Sequence, residues 1–155
     1  DDEGVPTQVN ELVTKGRLGG YLYDTYWAKR AGKSSTGSLG RGSYSSSGGI
    51  GTSNLYIEKG EEELQELLKD IGEGLLITEL MGVHTIDSVT GDFSLGATAF
   101  KVEGGEVAFP VRGLAISGNL LELLKKVEKV GGDMRFLGSV GSPSLLLSEI
   151  EASGK

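Results

Sequence analysis

Residues 93–116 read FSLGATAFKVEGGEVAFPVRGLAI, and the fold turns on them. From Phe93 to Val102 the larger side chains alternate with small ones, the two-residue period of a strand with one buried face. Gly104-Gly105 then offers the backbone freedom that a tight hairpin needs. Glu106 to Ile116 reads as the returning strand. Pro110 within it has no N–H to give a ladder, so it belongs at an edge or a bulge. Outward from this hairpin, Leu75 to Leu80 is an apolar run upstream, and Met134 to Leu137 and Ser144 to Ile150 are two closing strands downstream. Tight turns connect these strands more than helices do, which predicts a mainly antiparallel sheet and an α+β class.

Two amphipathic helices flank the strands. After Gly60, Glu61-Glu62-Glu63 is expected in a first helical turn, where the dipole favours acids. Leu64, Leu67, Leu68 and Ile71 fall on one face, and Gly72 ends it. The second helix is expected to start at an Asn119 cap, with Glu122 in capping-box spacing. Its buried stripe would be Leu120, Leu121, Leu124, Val127 and Val130, with Gly131-Gly132 as the stop and Glu122–Lys126 as a surface pair. Earlier in the chain, Val5 to Tyr23 reads as a hairpin around Thr14-Lys15-Gly16. Asp24 can cap a short helix through Tyr26, Trp27 and Ala28 that ends at Gly32. Residues 33–52 are almost pure Gly and Ser around Arg41 and Tyr44, a long loop of the flexible or ligand-ordered kind. A strand from Asn54 to Glu58 follows. Residues 1–155 are expected to form one domain.

Composition removes whole classes of function. The 155 residues carry 15 Lys+Arg against 22 Asp+Glu, a net charge of −7, which argues against a nucleic-acid binder. The charge is uneven, with a net of +1 over residues 1–45 and −8 over 46–155. Lys15, Arg17, Lys29, Arg30, Lys33 and Arg41 cluster early, as solvated surface or as a modest anion-facing patch. No stretch has the ~20 apolar residues of a membrane span, and Asp1-Asp2-Glu3 is unlike the basic start of a signal peptide. With no cysteine, disulfides, thiolate chemistry and Cys-based zinc sites are excluded from these residues.

Catalytic motifs fail one by one. His84 is the only histidine, and neither HExxH nor HExxxH occurs, so no metal ligand is assigned. Asp92-Phe93-Ser94-Leu95-Gly96 lacks the first glycine of a nucleophile elbow. Gly32-Lys33-Ser34 echoes a P-loop ending, but Trp27 stands where its first glycine should be.

Several segments in order nevertheless resemble the TldD/PmbA family. They are Asp1–Pro6, Gly20–Asp24, Ser35–Gly37, Thr52–Ile57, Thr78–Gly82, Thr90–Ala97, Ser117–Leu120 and Gly141–Leu145. The resemblance spans the chain and implies the C-terminal part of a longer protein, consistent with an opening at Asp1 where a start Met would stand. It implies a peptide-processing system, also called modulator of DNA gyrase. In that system TldD-type proteins are zinc metallopeptidases and PmbA, or TldE, is the related partner. The TldD type uses an upstream HExxxH and a C-terminal Cys as ligands, and Gly91–Gly96 looks like the PmbA branch. The expectation is therefore no catalytic or metal residue in this chain, with zinc in a TldD-type partner. The assembly would be a cytoplasmic heterodimer or homodimer that handles an extended peptide, without nucleic acid or membrane. Two other readings stay open: a homodimeric peptide-binding or scaffold protein, or a peptidase whose HExxxH lies upstream. Unusual polar placement nominates Arg41, Tyr44 and Asn54, with His84, Asp92 and Ser94, as substrate contacts.

Overall fold

A computed structural model describes residues 1–154. Its contacts divide into two compact units, residues 1–55 and 56–155. In the first unit, β1 (Val13–Thr14) and β2 (Arg17–Leu18) form a minimal hairpin turned by Lys15 and Gly16, both at positive φ. α1 (Thr25–Ala31) is held at both ends as its sequence dictates. The Asp24 carboxylate accepts from the Trp27 N–H at 2.6 Å, and left-handed Gly32 closes the C-terminus. The Gly/Ser stretch is not wholly irregular, because β3 (Leu39–Gly40) pairs antiparallel with β4 (Gly49–Ile50) inside it. Asp1 ties this unit together, its carboxylate accepting the N–H groups of Glu3, Val5 and Leu39.

The second unit is built on four antiparallel strands in the order β13-β8-β7-β6. They are β6 (Gly74–Met81), β7 (Asp92–Glu103), β8 (Glu106–Asn119) and β13 (Glu151–Ser153), preceded in the chain by β5 (Leu55–Tyr56) and α2 (Leu64–Ile71). The central hairpin β7–β8 is the one read from residues 93–116. Phe93, Leu95, Ala97, Ala99, Leu114 and Ile116 bury one face of it, with Leu75, Ile77, Ile86, Val111, Leu123 and Ile150 packed against them. Both neighbours of β7 carry one extra residue opposite Thr98. Ile77 pairs with Ala99 and Glu79 with Thr98, leaving Thr78 over, while Ala99 pairs with Val111 and Ala97 with Leu114, leaving Arg112-Gly113 opposite one residue. These are β-bulges, and Gly113 takes φ +64 there. Pro110 pairs with Phe100 where, among the described residues, no strand lies on the other side of β8, since β13 reaches only Ala115–Ser117.

Three readings are corrected. Glu61 and Glu62 lie before α2, and Glu63 is its N-cap in a capping box with Glu66. Gly131 bridges Glu62 and so holds that segment extended. The second helix is shorter than its leucines suggest: α3 runs Leu120–Lys125, capped by Asn119 through the N–H groups of Leu121 and Glu122. Val127–Val130 is instead β9, paired antiparallel with β12 (Leu145–Leu147), whose backbone groups outcompete another helical turn. The expected stripe is therefore not buried, and Leu120, Leu121 and Leu124 are exposed while Leu123 faces the core. Glu122 pairs with Lys125 at 2.7 Å, and Lys126 turns to Glu149 at 2.9 Å. β10 (Arg135–Leu137) and β11 (Val140–Ser142) form a hairpin whose β11 neighbours β5. Lys129 binds Glu62 and Asp70, both at 2.8 Å, which raises its pKa above the usual lysine range, the Asp70 hydrogen bond contributing most. No helix is long and apolar enough to cross a membrane among the described residues.

Candidate functional site

The first unit's candidates are split by the structure. Arg41 and Tyr44 share the β3–β4 hairpin. The Arg41 backbone N–H donates to Asp2 Oδ2 at 2.6 Å, and its Nη1 donates to the Ser46 carbonyl at 2.7 Å. Ser46 Oγ in turn accepts from the Ser43 N–H and donates to the Ser43 carbonyl. The guanidinium thus braces the loop and keeps its other N–H groups for solvent or a ligand. Gly48, at φ +75, lies against the Arg41 stem, where a Cβ would come within 3.1 Å of Cγ. Tyr44 stands fully exposed at the tip. Asn54 lies beyond the hairpin, exposed and outside any element.

In the second unit, Asp92 and Ser94 lie on the exposed face of β7, opposite Asn119 and Ser117 of β8. Asp92 Oδ1 accepts from Asn119 Nδ2 at 2.8 Å, and the same nitrogen donates to the Thr90 carbonyl at 2.8 Å. Asn119 Oδ1 accepts the first N–H groups of α3. Asp92 therefore positions the cap of a helix. Ser94 has neither His84 nor a carboxylate as a hydrogen-bond partner among the described residues, so no nucleophile–base pair forms. Its cross-strand neighbour Ser117 donates to Glu151 Oε2 at 3.4 Å. His84 is exposed in a one-turn 3-10 helix, Val83–Thr85.

The organiser of this turn is Asp87, which sequence reading passed over. Its Oδ1 accepts the N–H groups of Val89 (2.7 Å) and Thr90 (2.9 Å), and its own N–H donates to the Asp92 carbonyl at 3.0 Å. The Thr90 N–H bond, then the Val89 one, holds its carboxyl below the usual range. The signal was present, since Asp followed three residues later by Thr is a pattern of side-chain-closed turns. Asp133 plays the same part elsewhere: it accepts from the Ser144 N–H at 2.9 Å and from Ser144 Oγ at 2.7 Å. Burial, the largest single influence, works against its charge, but those two bonds together with its own backbone N–H and the Arg135 charge lower the pKa. Among the described residues, no group of three His, Cys, Asp or Glu side chains could hold a metal.

The face of the sheet away from the core carries Ser94, which is exposed, and Thr98, Ala115 and Ser117, which are half-buried. The outer edge of β6 has no strand beside it among the described residues. An eight-residue edge of this kind presents unpaired N–H and C=O groups to any extended chain that reaches it.

Residues 1–154 match the family model described as the PmbA/TldA metallopeptidase C-terminal domain. A metalloprotease PmbA homolog of Buchnera aphidicola subsp. Baizongia pistaciae is 41% identical over 99% of the chain. A zinc metalloprotease TldD homolog of Saccharolobus solfataricus is 30% identical over 86%. The crystal structure of TldE from Thermococcus kodakarensis superposes with a TM-score of 0.87 at 34% identity, covering 99% of this chain and 36% of that one. The chain spans about a third of the curated relatives it matches, 32% of the Buchnera protein and 30% of the Saccharolobus one.

Proposed function

The chain belongs to the PmbA/TldD metallopeptidase family, within its C-terminal domain, and on that premise we propose that it serves a PmbA/TldE-like subunit by holding unstructured peptides for a TldD-type zinc partner. The observation that carries this reading is the open β6 edge. A peptide laid along that edge would gain main-chain hydrogen bonds whatever its side chains, which suits a substrate without fixed structure. Zinc chemistry belongs to the family, but the residues here do not fit the ion, for His84 is the only imidazole and no cysteine exists. No step is therefore routed through a metal in this chain. In the 1–55 unit, taken by itself, Arg41 and Tyr44 are the candidates for side-chain contacts with a peptide, and the complex would work in the cytoplasm.

A second reading has its own support, because relatives of the PmbA type are themselves called metalloproteases. One experiment separates the two. The full-length protein is purified from its own cells, its partners are identified by mass spectrometry, and zinc is counted per complex. We expect one TldD-like subunit and its zinc. A self-associated protein with stoichiometric zinc would make it the peptidase, and absence of both partner and metal would leave a binding protein.

A further inference from the structure

The 1–55 unit holds five carboxylates, and each is engaged by a backbone or hydroxyl donor. Asp1 takes the N–H groups of Glu3, Val5 and Leu39, and Asp2 takes that of Arg41. Glu3 takes the N–H and hydroxyl of Thr25, Glu11 the Thr14 hydroxyl, and Asp24 the Trp27 N–H. The six cations of the unit are consequently left without an ion pair among the described residues, whose five ion pairs all lie in residues 56–155. Three of them, Lys29, Arg30 and Lys33, fall at the end of α1 and just beyond it.

On the same helix, Tyr26 is 57% and Trp27 50% exposed. Their rings meet edge to face with centroids 5.2 Å apart. The Arg30 guanidinium lies 5.7 Å from the Tyr26 ring centre and 5.5 Å from that of Trp27, and Nη1 donates to the Tyr26 hydroxyl at 3.0 Å. Helix-dipole attraction accounts for basic residues in a last turn. It does not account for two large aromatic rings left in water and locked around one of those cations. Ala28, 2% exposed, anchors the opposite side of the helix, and both helix ends are capped, so the patch is preorganised. Tyr, Trp and Arg are the residues that dominate binding energy at protein interfaces.

We propose that the exposed face of α1 docks an acidic segment of a partner polypeptide. Its carboxylates would meet Arg30, Lys29 and Lys33, and its apolar side chains would lie on Tyr26 and Trp27. A polypeptide fits better than a nucleic acid, because the Arg30 guanidinium already lies over the Tyr26 and Trp27 rings, where a base would have to stack.

The test uses the full-length protein and fluorescence anisotropy of three labelled probes: the peptide EEFEEFEE, its basic counterpart KKFKKFKK, and decathymidylate. Saturable binding of the acidic peptide is expected, weakened about tenfold or more by Arg30→Glu and by Trp27→Ala, and weakened by added salt. Equal affinity for the basic peptide, tighter binding of decathymidylate, no binding of the acidic peptide, or binding indifferent to Arg30→Glu would each overturn the proposal. Circular dichroism checks folding. Should Trp27→Ala unfold, Arg30→Ala at an exposed position replaces it and must weaken binding in the same direction.

Discussion

At the scale of single residues, the polar side chains divide into those that build the chain and those left over. Asp133 is a builder, and its two bonds to Ser144 join the start of one strand pair to the approach of another. Asp133→Ala should lower stability by about 1–2 kcal/mol in urea denaturation, since it leaves a partly buried N–H without its acceptor. The sign of its pH dependence follows from a folded pKa below the ordinary 3.8. Its contribution is complete above that value and is lost as the pH falls through the folded pKa. Thermal melts below about pH 4 should thus fall less steeply for Asp133→Asn than for the parent, and parallel acid limbs would refute the assignment. Tyr44 belongs to the leftover group, and Arg41 does in part, since one guanidinium nitrogen braces its exposed loop and the others have no partner among the described residues. Arg41→Ala with Tyr44→Ala is expected to weaken peptide capture while leaving the melting temperature nearly unchanged, and undiminished capture would remove the hairpin from the site. The sequence could nominate Asp92 as unusual, but nothing in its neighbours told that its carboxylate would be spent on the Asn119 amide 27 positions away.

Elements were legible wherever one period dominated. The β7–β8 hairpin and α2 appear almost where alternation and the 3.6-residue stripe put them, and the Asp24 and Asn119 caps hold their helices as read. The failure at Val127–Val130 is instructive. Those residues, VEKV, fit the helical stripe continued from Leu120 and carry no two-residue alternation. The choice was made by Leu145–Leu147, a non-local partner that local propensity cannot see. Amides of Val127–Val130 and Leu145–Leu147 should accordingly exchange with deuterium together, as one opening unit; separate rates would mean that the pairing is not cooperative. In the core hairpin, Leu95→Ala should cost about 2–5 kcal/mol by creating a cavity on the buried face. Gly60→Ala should also destabilise, because a Cβ there would collide with the Val130 carbonyl, a contact read from no sequence motif.

On the scale of the whole molecule, the α+β class and the family were readable, while the strand order was not. β13 joins β8 and β5 joins β11 over long separations, through three-residue and two-residue strands with too little pattern to detect. Function at this scale depends on more than these residues. His84→Ala is expected to leave the zinc content of the assembled complex unchanged, as measured by elemental analysis, and a loss of one zinc per complex would make His84 a ligand after all. The surplus residue at Arg112-Gly113 carries a different lesson. On the side of β8 that carries its core residues, odd positions 109 and 111 are followed by even ones at 114 and 116, and the bulge is where the count changes parity. Chain length is itself encoded there: deleting Gly113 would turn Phe109 and Val111 through to the opposite side of the sheet. A frame-preserving deletion of that one small residue should do more harm than most substitutions around it.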